Sequence, residues 1–182
     1  VLLARCVFHV VPNMNPDGRD RNRRVNANKL NLSTDFLART QPETRAVCDV
    51  LQRFHPHVML DVHESAALKK QSLGAQGFLI DFEAQFEPAN HPNVHPALRA
   101  VCFEALLPAT LAAVTRRGLP AQRYIGEITS TNQILTHGGA SLRNVRNMAG
   151  LLGVCAFLLE NKLDPSTGVY PTPRNLQART AK

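Results

Sequence analysis

The chain reads as an α/β fold, a mixed, largely parallel sheet with helices on both faces. Three observations predict it. Short apolar or β-branched runs alternate with segments of helical period along the whole chain. Two of those runs, "HVMLDV" (57–62) and "VCAFLLE" (154–160), are apolar almost throughout and end in charge, as strands covered on both faces do. A length of 182 residues at 44% hydrophobic content supports one substantial core and not two.

The elements follow in order. "CVFHVVP" (6–12) predicts a buried strand, and the "NPDG" after it predicts a turn, with Pro16 fixing φ and Gly18 free to adopt positive φ. A polar loop of about twenty residues comes next, a length that in a compact domain usually serves function. "TQPETRAVCDVLQRF" opens with a T-x-x-E capping box, Thr40 to Glu43, and sets Ala46, Val47, Val50, Leu51 and Phe54 on one face, predicting a helix over 41–54. A strand over 57–62, a loop over 64–76 and a strand "GFLIDF" (77–82) are expected after it. "ALRAVCFEALLPATLAAVTRRG" predicts a long helix kinked at Pro108 and stopped at Gly118. A strand "AQRYIGEI" (121–128), a glycine-bearing loop, the helix "SLRNVRNMAGLLG" and the strand 154–160 complete the domain, expected to span 1–164. Residues 165–182, rich in proline and polar residues, are expected to be a peripheral tail.

The net charge of +7 and pI near 9.8 favour anionic partners without choosing among them. No stretch approaches 18 uninterrupted apolar residues, so no membrane span is expected. The first residues lack the order of a signal peptide. The run "RDRNRR" has no interleaved aromatics and no zinc-finger or helix-turn-helix spacing, so nucleic acid is not the expected partner. Cys6, Cys48, Cys102 and Cys155 stand apart among apolar neighbours and predict buried free thiols.

In open α/β sheets chemistry collects at the carboxyl ends of strands. After 57–62 comes "DVHES", which places His63 beside Asp61 and Glu64, and an imidazole there suits a metal ligand oriented by a carboxylate. Glu160 ends the last strand, where partial burial would adapt a carboxylate to general-base work.

The order of the pieces, "NPDG", an arginine-rich loop closing in "LNLSTDF", "PETRA", "LDVHE", "GG" with "RN" and "FLLE", resembles the bacterial branch of the M14 family of zinc carboxypeptidases. The resemblance runs from about Val7 to Glu160. It implies a zinc-carboxypeptidase-like fold, present as an incomplete domain, and a metallopeptidase activity on a peptide or amide substrate with a free carboxylate. It makes His63 a zinc ligand, Glu160 the general base and Arg24 the oxyanion-stabilising and substrate-binding arginine, with Arg21 and Arg23 as its neighbours in the motif. It also implies a location outside the cytoplasm.

Two departures shape the expectations. The family's H-x-x-E motif does not occur in the chain, so two further zinc ligands are expected upstream of residue 1. Ser33 and Thr34 stand where the family has the asparagine and arginine that hold the substrate's carboxylate, and Arg143 or Arg146 would have to compensate. The family's tyrosine position falls near Ile134, which leaves Tyr124 as the nearest phenol, and His137 precedes the glycine pair. The alternative reading is an inactive M14-like pseudoenzyme that binds peptides or carboxylates.

Overall fold

The computed structural model describes residues 2–66, 82–126, 128–130 and 132–163. Its strands are β1 (Val58–Ala66), β2 (Ala84–Pro88), β3 (Ala121–Arg123) and β4 (Cys155–Leu163), in the sheet order β1-β4-β2-β3. β1 runs parallel to β4 and β2 parallel to β3, while β2 and β4 are antiparallel. The sheet is therefore mixed, as expected. The helices are α1 (Pro16–Asp20), α2 (Pro42–Phe54), α3 (Pro96–Ala100), α4 (Leu107–Thr115) and α5 (Val145–Leu151).

Strand alternation sorts the sheet's side chains onto two faces. On one, Met59 and Ala156 pack with Cys48 and Leu51 of α2 and with Val145 and Ala149 of α5. On the other, Ala84, Phe86 and Phe157 pack against Cys102 and Leu107 of the helical stretch beginning at Pro96. Burying one such large apolar side chain contributes about 1.5–3 kcal/mol. β1 is an edge strand among the described residues, and Val58, Leu60 and Val62 stay exposed on the second face, Val62 at 58%.

Several expectations are corrected. Residues 6–12 form no strand: the segment has no ladder partner among the described residues, and Val7 is 83% exposed. Strand propensity measures fit to a pleated, half-buried surface, and no such surface engages this run; His9 instead stacks on Phe54 with ring centroids 3.8 Å apart. "NPDG" is the start of α1, with Asn15 as N-cap accepting from Gly18 N–H. Gly18 is required by close approach and not by positive φ, since a Cβ there would lie 2.6 Å from the Arg23 carbonyl oxygen.

The capping box does not form. Helix α2 begins at Pro42, and the Asp35 carboxylate takes over, accepting from Thr40 N–H and Oγ1, Gln41 N–H and Thr44 Oγ1, while Glu43 accepts from Asn26. Around Pro108 the helix widens into a π segment, Val101–Leu106, in which Leu107 N–H reaches Cys102 O. Proline lacks an N–H and its ring presses on the carbonyl four residues back, and the wider turn relieves both. The stretch Pro96–Thr115 is 20 residues long at mean hydropathy 1.6, the length and composition of a span, yet its Cys102 and Leu107 are buried against the sheet.

Strand β2, "AQFEP", was not expected: Gln85 and Glu87 give it no continuous apolar signal, yet all five residues are buried. β1 runs on through Ala66, past the expected end at residue 62, and β3 is only three residues long. The expected strand over 77–82, apart from Phe82, which is not in a strand, and the tail after 164 lie outside the described residues. Of the four cysteines, all free, Cys48 and Cys102 are buried while Cys6 is exposed, against expectation.

Candidate functional site

On the face shared with α2 and α5, the sheet turns from apolar to polar along β1 and β4. Register places His63 opposite Glu160 and Glu160 opposite Gln85, one row across three strands. The neighbouring row is Asp61, Leu158 and Glu87. Two sequence-predicted residues from distant parts of the chain, His63 and Glu160, are thus adjacent within neighbouring parallel strands, three residues before each strand's end.

His63 Nε2 lies 3.1 Å from Asp61 Oδ2. That hydrogen bond is the main cause raising the His63 pKa above its usual value, with the charges of Asp61 and Glu160 adding to it; burial and Arg24 act in the opposite sense. When neutral, the imidazole that donates through Nε2–H keeps its lone pair on Nδ1, the state a metal ligand needs. Glu160 Oε2 is a buried carboxylate oxygen. Glu64, next in sequence, is on the exposed side of β1.

Arg24 of the arginine-rich loop is exposed, and its positive charge acts to lower the His63 pKa. Asn15 Nδ2 donates to Arg24 O at 3.2 Å and fixes the end of the loop. Asn31 caps the 3₁₀ turn Leu32–Thr34 through Ser33 N–H, and Thr34 Oγ1 donates to Asn31 O. The Thr34 hydroxyl is therefore committed to its own turn. Arg143 comes from the glycine-bearing loop to the same place: its Nε donates to Thr34 O at 3.1 Å, and Phe36 N–H donates to Arg143 O at 3.0 Å.

Arg146 sits differently. It is 4% exposed, its Nη2 donates to Asn90 Oδ1 and Gly139 O, and Nε is buried without a hydrogen bond. Burial pulls its pKa below the usual guanidinium value, against the charges of Glu87 and Asp61. Glu87, fully buried, accepts from Arg123 through two bonds of 2.8 and 3.0 Å. Asn147, also fully buried, accepts from Asn90 N–H and His91 N–H and donates to Gly139 O and Ser141 O. His137 Nδ1 contacts Tyr124 O at 2.8 Å, and Ile134 is exposed.

This network of Gln85, Glu87, Asn90, Arg123 and Asn147 was missed by sequence reasoning. Its one legible signal was the polar alternation in "AQFEP", which looks like a loop until a partner strand is known.

The donors fit one corner of a zinc site. An imidazole backed by a carboxylate is a sound ligand, but a catalytic zinc takes three protein ligands, and no group of three histidine, cysteine, aspartate or glutamate side chains is arranged for a metal among the described residues.

No family model matches the chain. Over 164 residues, 88% of its length, it is 27% identical to "Probable carboxypeptidase 2" of Trichophyton verrucosum and to "Carboxypeptidase 2" of Trichophyton rubrum, and spans 31% and 30% of those proteins. A metallo-carboxypeptidase from Pseudomonas aeruginosa, solved with (2-guanidinoethylmercapto)succinic acid, superposes with a TM-score of 0.60 at 25% identity, covering 90% of this chain and 38% of that one. The chain is metallocarboxypeptidase-like. A metallo-carboxypeptidase from Burkholderia cenocepacia shares the fold at a TM-score of 0.62 and 22% identity, with 91% of this chain and 39% of that one covered. The metallocarboxypeptidase-like chain thus spans about a third of the length of the relatives it matches, and the metallo-enzyme character of its structural neighbours implies a metal.

Proposed function

We propose that this chain carries the catalytic carboxylate and one metal-binding imidazole of a zinc-dependent hydrolase that cleaves a peptide or amide bond next to a free carboxylate. The observation that carries the reading is Glu160 set directly opposite His63, whose Nε2 is held by Asp61. His63 would offer Nδ1 to the metal. A bound zinc ion would supply Lewis-acid activation of water near neutral pH. Glu160 would accept the proton from that water and return it to the leaving amine. Arg24 would meet the negative charge that develops on the scissile carbonyl oxygen.

For the substrate's carboxylate, Arg143 is the fitting guanidinium: it is exposed and anchored at Ser33-Thr34 by Nε, whereas Arg146 is buried and committed to Asn90 and Gly139. The Thr34 hydroxyl, turned to its own backbone, offers a carboxylate no fork. That same loss supports the second reading, a fold that binds peptides or carboxylates without turnover.

Titrating zinc into the chain while following histidine ring resonances tests the metal role. The reading expects the His63 signals to respond before those of His55, His57, His91 and His95. A His63 resonance that is indifferent while the others shift would sink it. In a zinc-loaded protein with measurable turnover, Glu160→Gln should lower kcat about 10²–10⁴-fold with zinc content unchanged; unchanged kcat would remove Glu160 from the mechanism.

A further inference from the structure

Between Arg19 and Arg24 the chain holds four arginines in six positions. All four are exposed, and none makes an ion pair among the described residues. The backbone beneath them is tied down. Arg19 N–H donates to Asn15 O at 2.9 Å and Arg23 N–H to Gly18 O at 2.8 Å, and Asn15 bridges Gly18 N–H and Arg24 O with its two side-chain atoms. No side chain larger than that of glycine fits at residue 18. Crowded like charges on a rigid turn repel one another, with only Asp17 and Asp20 nearby in sequence to offset them.

We infer that the arginine turn 19–24 is a docking surface for acidic peptide, giving the site a preference for substrates with aspartate or glutamate beside the scissile bond. The inference rests on the hydrolase reading for that placement. A guanidinium matches a carboxylate with two parallel hydrogen bonds, and a pre-set turn loses little freedom when it makes them. On the hydrolase reading Arg24 meets the scissile carbonyl, and Asn15 ties the Arg24 carbonyl to the same turn, so on that reading Arg19, Arg21 and Arg23 border the site. Nucleic acid fits less well: no aromatic residue lies between Asn15 and Asp35 for a base to stack on, and α1, five residues long, is too short to read a groove.

The test is fluorescence anisotropy of the 182-residue chain with three labelled probes of equal length: a glutamate-rich peptide, its glutamine counterpart and a single-stranded oligonucleotide. The glutamate peptide should bind about tenfold tighter than the glutamine peptide at low salt, and tighter than the oligonucleotide. Salt near 0.15 M should shrink that advantage, roughly where the Debye length falls to about 8 Å. The combined variant Arg19→Gln, Arg21→Gln, Arg23→Gln, with circular dichroism confirming its fold, should bind both peptides equally. Equal binding of the two peptides to the unsubstituted chain, or tighter binding of the oligonucleotide, overturns the inference. Binding needs neither metal nor turnover. A chain without hydrolase activity that still discriminates thus defeats only the hydrolase reading, and an active one indifferent to peptide charge defeats only this inference.

Discussion

Arginine is used in two opposite ways in this molecule. Arg123 is clamped on a fully buried Glu87, and Arg146, itself buried, is committed to Asn90 and Gly139. Arg19, Arg21, Arg23 and Arg24 stand on a fixed turn with their charged ends exposed. A guanidinium bonded inside the fold has its partners chosen for it and holds elements in place; one that is exposed and unpaired is available to something outside the chain. The residue type says little until its partners are known.

The difference should be largest in stability. Arg123→Met leaves the Glu87 carboxylate buried without its fork and should destabilise the fold by about 3 kcal/mol, read as a lower urea midpoint. Combining it with Glu87→Gln should restore most of the loss. If the single variant is as stable as the parent, the clamp is not a structural charge pair.

Asp35 sharpens the comparison from the acidic side. Burial alone would raise its pKa, but bonds from Thr44, Thr40 and Gln41 outweigh it and bring the value to about 2. A carboxyl depressed in the folded state stabilises it fully above the unfolded value near 3.8, and that contribution fades as pH falls toward about 2. Asp35→Ala should cost about 1 kcal/mol at neutral pH, as loss of a helix cap does, and the gap between variant and parent should close as the solution is acidified. A gap that persists at pH 2 would contradict the assignment.

A smaller effect is expected at His63. Asp61→Asn removes the main cause of its raised pKa, so the ring should titrate at lower pH by NMR. Smallest of all, Arg21→Gln should leave the urea midpoint unchanged, because nothing in the fold depends on that side chain. A marked loss would place Arg21 with Arg123 and Arg146.

How much of this could be read beforehand follows from the same contrast. β1, β4, α2 and α5 were legible because their apolar spacing is local, and His63 and Glu160 were legible because each ends such a run. β2 was not, since Gln85 and Glu87 become interior residues only when Ile125 N–H and Arg123 arrive from some 40 positions away. Residues 6–12 misled for the opposite reason: the run has every local mark of a strand, but a strand exists only beside a neighbour. The capping box failed likewise, because Thr40 and Glu43 cannot announce that Asp35 and Asn26 reach them first.

The edge position of β1 among the described residues bears on how the protein behaves in a test tube. Among the described residues the nine-residue β1 pairs with a strand on one side only, beside the exposed Val58, Leu60 and Val62. Such an edge is a template for another chain, and the +7 charge that keeps copies apart is the main opposing force. Salt screens that repulsion and leaves the apolar row untouched. Solubility should therefore fall as salt is added, the reverse of ordinary salting-in, and a charged side chain in place of Leu60 should restore it.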